Sequence, residues 1–161
     1  MSGGFKTTDL YDDYLEILQV AAPVFRDFGG RTAFCGQIVT LKAFEDNTFL
    51  KSAFETDGTG KVLVVDSSAS LRCAMMGDVM AALGATHGWE GVIINGCIRD
   101  SVDVAAVDLG VKALAIIPRK TIKRNQGVMD IALHFADVTF YPGDYVYADE
   151  DGIVISKNAI L

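Results

Sequence analysis

The sequence predicts an α/β fold of layered sheets with helices on one side. Three observations carry that prediction. Apolar runs of buried-strand length, such as Val62 to Val65 and Ala113 to Ile117, recur along the chain. Stretches with helical spacing or helix-favouring composition alternate with strands over the first two thirds. The last third consists of short strand candidates separated by turn signals.

Taken in order, Thr8 or Asp9 can cap a first helix, in which Leu10, Tyr14, Ile17, Leu18 and Ala21 recur at helical spacing. Pro23 ends or bends it, and Gly29-Gly30 signals a turn. Residues 34–43 read as a strand, with branched Ile38, Val39 and Thr40 favouring that state. Asp46 or Asn47 can cap a short helix carrying Phe49, Leu50, Ala53 and Phe54, which Asp57-Gly58-Thr59-Gly60 breaks. Residues 61–66 read as a strand buried on both faces. Ser67 to Ser70 reads as a small-residue loop that lets a ligand or another backbone approach closely. A helix follows Gly77-Asp78 through His87 and stops at Gly88. Residues 91–95 form another buried strand; Gly96 to Asp100 leave it, and Asp100 or Ser101 can cap a short helix. A strand over 111–117 closes at Pro118. Further strands are expected over 128–135, 138–141, 145–148 and 153–156. A length of 161 residues suits one domain.

Composition narrows the function. Half of the chain is apolar, enough for a core without disulfides. Cys35, Cys73 and Cys97 are widely spaced, and His87 and His134 are isolated, which argues against a zinc site and for free thiols in a reducing cytoplasm. No apolar run approaches the roughly eighteen residues of a membrane span, and the start lacks a signal-peptide pattern. The net charge of -7 disfavours direct nucleic-acid binding. The basic run from Arg119 to Arg124 opposes that trend; it reads as a solvated loop or as a surface that meets an anion or acidic partner. His87, His134, Trp89, Asp144 and Asp149 read as structural.

Geometry links Asp78 to Arg99-Asp100. A helix of about eleven residues travels roughly 16 Å, and a returning strand of about five residues covers roughly the same distance. The helix start and the strand exit therefore lie together, at the strand end where α/β layers commonly bind ligands. The free N–H groups of Gly77, Asp78, Val79 and Met80 can receive a carboxylate. Arg99 offers a planar fork of donors. Asp100 is a hard oxygen ligand for Mg²⁺ or Mn²⁺. From the residues alone, an ordinary Arg-Asp ion pair at a strand end, with Asp78 as a helix cap, is the commoner arrangement.

At this constellation the sequence resembles the RraA-like family, which covers the regulator of ribonuclease E activity and the class II 4-hydroxy-4-methyl-2-oxoglutarate aldolases. The resemblance rests on Phe28-Gly29-Gly30-Arg31, Gly36-Gln37-Ile38-Val39-Thr40, Phe44-Glu45-Asp46-Asn47, the run from Gly60 to Asp66, Trp89-Glu90-Gly91 and the run from Pro142 to Asp149. The aldolase branch carries an Asp, twenty intervening residues, Arg-Asp, and an acid three positions on; Asp78, Arg99-Asp100 and Asp103 match it. Where many regulator-like members carry a glycine run, this chain has Ser67-Ser68-Ala69-Ser70.

The resemblance implies a three-layer β/β/α sandwich of the swivelling-domain type, assembled as a cytoplasmic homotrimer with sites near subunit interfaces. It implies that Asp100 binds a divalent metal, that Arg99 contacts the substrate, and that the Gly77 to Met80 amides hold the substrate carboxylate. Asp78 would position a water for proton transfer, and Asp103 would support the site from behind or start a helix. The implied activity is a metal-dependent lyase that cleaves 4-hydroxy-4-methyl-2-oxoglutarate and decarboxylates oxaloacetate, both through pyruvate enolate. The alternative is a non-catalytic protein that binds ribonuclease E and modulates RNA decay.

Overall fold

Side-chain alternation along the central strands sets the layers. The computed structural model describes residues 4–161. In chain order these form α1 (Thr7–Tyr14), β1 (Gln19–Val20), β2 (Arg26–Asp27), β3 (Phe34–Lys42), α2 (Thr48–Phe54), β4 (Lys61–Met76), α3 (Asp78–Thr86), β5 (Gly91–Ile98), α4 (Ser101–Val104), β6 (Gly110–Ala113), β7 (Ala115–Ile116), β8 (Val128–Met129), β9 (Leu133–Phe135), β10 (Val138–Phe140), β11 (Tyr145–Asp149) and β12 (Gly152–Ser156). Leu63 and Val65 of β4, with Val92 and Ile94 of β5, enter one apolar core, whereas Val62, Val64 and Ile93 enter another. Two-sided burial of this kind is what parallel strands need, because both faces must be covered.

The main sheet runs β1-β12-β11-β3-β4-β5-β6-β2. Its centre, β3 to β6, is parallel, and its flanks are antiparallel. On one face, α2, α3 and α4 contribute Leu50, Phe54, Ala81 and Val104 to the core. On the other, the β9–β10 hairpin supplies Leu133, Phe135, Val138 and Phe140. The result is the three-layer β/β/α sandwich that the resemblance implies. No helix among the described residues is long and apolar enough to cross a membrane.

Several expected elements differ. The first helix ends at Tyr14, because Gln19 and Val20 pair with Ile155 and Val154 instead of continuing it; edge pairing outweighs local periodicity. Its expected Thr8 or Asp9 cap is absent, and Thr7 is anchored by the buried Asp149 carboxylate instead. The expected strand over 111–117 is two strands, β6 and β7, that part at Leu114. The expected strand over 128–135 is likewise broken, at Asp130 in the left-handed region (φ 60°).

Ser67 to Ser70 is no separate loop but part of β4, with Ser68 and Ala69 left-handed. Ten residue steps separate Asp66 from Met76, whereas three separate their partners Asn95 and Ile98, so β4 carries seven extra residues there. This excursion does meet another backbone: Ser67 Oγ accepts from Glu45 N, and Ser70 and Arg72 donate to the Glu45 carboxylate. Arg72 and Ser70 hold that carboxyl down at about 2.

Gly91 and Gly110 face each other across β5 and β6, and the fully buried Phe34 ring lies against both. A Cβ would stand 2.3 Å from the ring at Gly91 and 2.1 Å at Gly110. Gly110→Ala is therefore expected to destabilise by about 3 kcal/mol, lowering Tm by roughly 6–12 °C. Thermal denaturation reads this directly, and an unchanged Tm would refute the clamp.

Candidate active site at the start of α3

The end of β5 is registered against the residue that precedes Gly77. Met76 pairs with Ile98, and Arg99 N donates to Met76 O at 2.9 Å. The chain then turns into α3 with Gly77 as its N-cap and Asp78 as its first helical residue. Helix start and strand exit therefore meet, as the two path lengths require.

Asp100 adopts the left-handed conformation (φ 56°), which Asp tolerates better than most residues. It makes no side-chain cap bond to α4, the helix it precedes. Instead its carboxylate turns toward α3, where Oδ2 lies 3.4 Å from Asp78 N. Gly77 makes room, since a Cβ there would stand 2.5 Å from that oxygen. Arg99 Nε lies 3.8 Å from Asp100 Oδ2, with the two side chains 40% and 39% exposed. This is a loose, open pair that leaves most of the guanidinium fork and the carboxylate for a ligand. Asp78 is not a cap either, because Gly77 holds the cap position.

Gly77, Asp78, Val79, Met80, Arg99 and Asp100 line one cavity of about 570 Å³. Asp103 does not; it is exposed in the first turn of α4 and lines a neighbouring cleft that Arg99 and Asp100 also line. The same cavity takes residues that the motif reading missed: Asn47 at the N-cap of α2, Lys51 within α2, and Lys120, Thr121 and Lys123 from the basic run. The opposed charge of that run in an acidic chain was the available signal.

The basic run is fixed rather than loose. Ala74 N donates to Arg119 O at 2.7 Å. Asp46, fully buried, accepts from Arg124 N and Gln126 N through Oδ2, and from Thr48 N and Oγ1 through Oδ1. Burial pushes the Asp46 carboxyl up, but these hydrogen bonds outweigh it and hold the group at about 2. A lowered folded-state value means that its stabilisation is complete above the ordinary 3.8 and is lost as pH falls through about 2. The Arg124 and Gln126 amide resonances should therefore titrate together with a midpoint of about 2, a transition that Asp46→Asn removes. A midpoint near 4 would contradict this anchoring.

Among the described residues, no three His, Cys, Asp or Glu side chains converge. Asp100 is the residue that could hold a metal, and Asp78 lines the same cavity. One hard oxygen ligand beside open space fits Mg²⁺ or Mn²⁺, which retain water and accept substrate oxygens. All three cysteines are buried, and burial pushes the Cys73 and Cys97 thiols up, away from thiolate ligation.

Known proteins agree with this frame over nearly all of the chain. The RraA-like family model, described as Aldolase/RraA, matches residues 7–155. A protein of Pseudomonas syringae pv. tomato is 53% identical over 154 residues, which span 96% of this chain and 95% of that protein. One of Alkalilimnicola ehrlichii is 50% identical over 155 residues, 96% of each. Both are named, provisionally, as 4-hydroxy-4-methyl-2-oxoglutarate aldolases. The solved structure of the RNA-processing inhibitor RraA from Thermus thermophilis superposes with a TM-score of 0.94 at 38% identity, covering 99% of this chain and 96% of that one. A Geobacillus kaustophilus structure, named as an S-adenosylmethionine:2-dimethylmenaquinone methyltransferase, gives 0.95 at 44% identity, covering 97% of each chain. With the match running from the first residue of α1 into β12, the chain belongs to the RraA-like family.

Proposed function

We propose that this chain is a divalent-metal-dependent lyase acting on small 2-oxo acids, cleaving 4-hydroxy-4-methyl-2-oxoglutarate and decarboxylating oxaloacetate. The aldolase names of relatives at about 50% identity support the lyase class. The observation that carries the reading is the shared cavity: the Asp100 carboxylate, the Arg99 guanidinium and the amino end of α3 line one space.

Asp100 would hold the cation, and Asp78 lies within the same cavity. A bound divalent cation supplies Lewis-acid stabilisation of negative charge on the substrate's keto oxygen. The N–H groups at the start of α3 receive the 2-oxo acid carboxylate, favoured by the helix dipole. Arg99 directs its donors to the oxygen that becomes the enolate oxygen and strengthens that contact as charge develops. In both reactions the C3–C4 bond breaks and its electron pair enters the enolate. Aldol cleavage also removes the proton of the 4-hydroxyl group, whereas decarboxylation releases carbon dioxide. Asp78 positions the water that exchanges protons with the hydroxyl group and with C3.

Pyruvate release from both substrates, with Mg²⁺ or Mn²⁺ and with a chelator, tests the proposal. Release from each that chelation suppresses is expected, and no release from either with metal present would sink it. Val79 and Val102, 80% and 85% exposed beside the site, suit burial by a second copy in a homotrimer, which sedimentation would read.

The likeness to the RNA-processing inhibitor from Thermus thermophilis favours a second reading, surface binding to an endoribonuclease. Retention by ribonuclease E in a pull-down, with slowed RNA cleavage, is the outcome that reading requires.

A further inference from the structure

Asp100 points at a helix that it does not begin. It precedes α4 yet makes no cap bond to it, and its carboxylate lies against α3, with Oδ2 3.4 Å from Asp78 N. Its left-handed backbone (φ 56°) is unfavourable for a residue with a side chain and persists where the surroundings enforce it. Gly77 completes the arrangement. Its backbone (φ -123°, ψ -164°) is extended and open to any residue, so no dihedral requires glycine there. The space that a Cβ would take is held by Asp100 Oδ2 at 2.5 Å, whereas the next nearest atoms, on Arg99, stand at 3.4 and 3.5 Å.

Asp78 N carries one of the free N–H groups that the proposed function gives to the substrate carboxylate. A substrate oxygen bonded to that nitrogen at about 2.9 Å falls within roughly 6 Å of Asp100 Oδ2, and nearer where both lie on its hydrogen side. Two carboxylates that close repel each other. At about 4 Å the repulsion weakens binding about 5-fold in bulk water, and by more in a partly dry cavity. Arg99 offsets only part of it, because its pair with Asp100 is open, at 3.8 Å. Lys51, Lys120 and Lys123 line the same cavity and draw anions into it, so the conflict falls at the α3 amides rather than on entry.

We infer that Asp100 has a second role as a gate: its carboxylate keeps the 2-oxo acid carboxylate off the amino end of α3 until a cation cancels its charge. Gly77 is the positioning residue that gives the gate its room. This rests on the proposed function, which places the 2-oxo acid carboxylate at those amides. A purely ligating Asp100 predicts that its loss leaves metal-free binding unchanged; a gate predicts that its loss strengthens it.

The test follows the Asp78 amide resonance of the full chain in metal-free buffer as pyruvate is added, in the wild type, Asp100→Asn and Asp100→Gly. Both replacements remove the charge and tolerate a left-handed position. Each should bind pyruvate about 10-fold more tightly than the wild type, and added salt should shrink the gap. Glycine brings no new donor, so a gain confined to Asp100→Asn reports a fresh hydrogen bond and overturns the gate. Equal or weaker binding by both variants overturns it too. Mg²⁺ should tighten pyruvate binding to the wild type, and a wild type indifferent to Mg²⁺ overturns the release. Pyruvate formation by the wild type is measured separately. Tighter binding by both variants, in a protein that forms no pyruvate with metal present, supports the gate and removes the lyase. Equal binding with metal-dependent formation intact removes the gate alone.

Discussion

Asp100→Asn is expected to lower metal-dependent pyruvate formation by about 10³-fold, because loss of the ligand charge removes several kcal/mol of transition-state stabilisation. Asparagine is the informative replacement. Position 100 is left-handed, which Asn tolerates and Ala does not, so backbone strain stays out of the comparison. The side chain is 39% exposed, and among the described residues its polar contacts are long ones, to Asp78 N and Arg99. The variant should therefore melt with the wild type, to within about the ±0.5 kcal/mol typical of surface changes. Steady-state turnover across a Mg²⁺ titration, with a melting curve, checks both halves. Undiminished turnover after scrupulous removal and replacement of metal would take Asp100 out of the mechanism.

Arg99→Lys should reduce kcat by about 10²- to 10³-fold, the loss seen when one donor to a developing oxyanion is removed. Charge is conserved, so any loss reports geometry: lysine offers a point charge where arginine offers a planar fork. The structure leaves that fork largely free, with only a 3.5 Å contact to Pro118 O and a 3.8 Å approach to Asp100. The defect should fall mainly on kcat rather than KM, as for a contact made chiefly in the transition state. A KM rise at constant kcat would reassign Arg99 to ground-state binding.

The central strands and the meeting of Gly77-Asp78 with Arg99-Asp100 were legible because local periodicity and residue geometry determine them. The apolar runs at 61–66 and 91–95 became the first part of β4 and most of β5, where Val62 to Val65 and Gly91 to Ile94 leave no polar face. What was not legible depended on distant partners. Gln19 and Val20 look helical until β12 offers them an edge. Lys120 and Lys123 lie far along the chain from Asp78, and nothing local says that Asp46 will tie their segment beside α3. The turning of Asp100 toward α3, rather than onto its own helix, is a single left-handed dihedral that no periodicity encodes.

The seven surplus residues in β4 give the protein a place where length can change cheaply. Upstream, pairing of Val62 to Asp66 with β5 fixes the frame, and downstream Met76 is re-paired before the helix begins. Insertions or deletions between Asp66 and Ala74, ahead of the Ala74 contacts to Cys97 and Arg119, would reshape the rim that Arg72 and Glu45 share with the basic run while leaving Gly77, Arg99 and Asp100 in place. On the proposed function, substrate preference could therefore be retuned in this stretch while Arg99 and Asp100 keep their places against the start of α3.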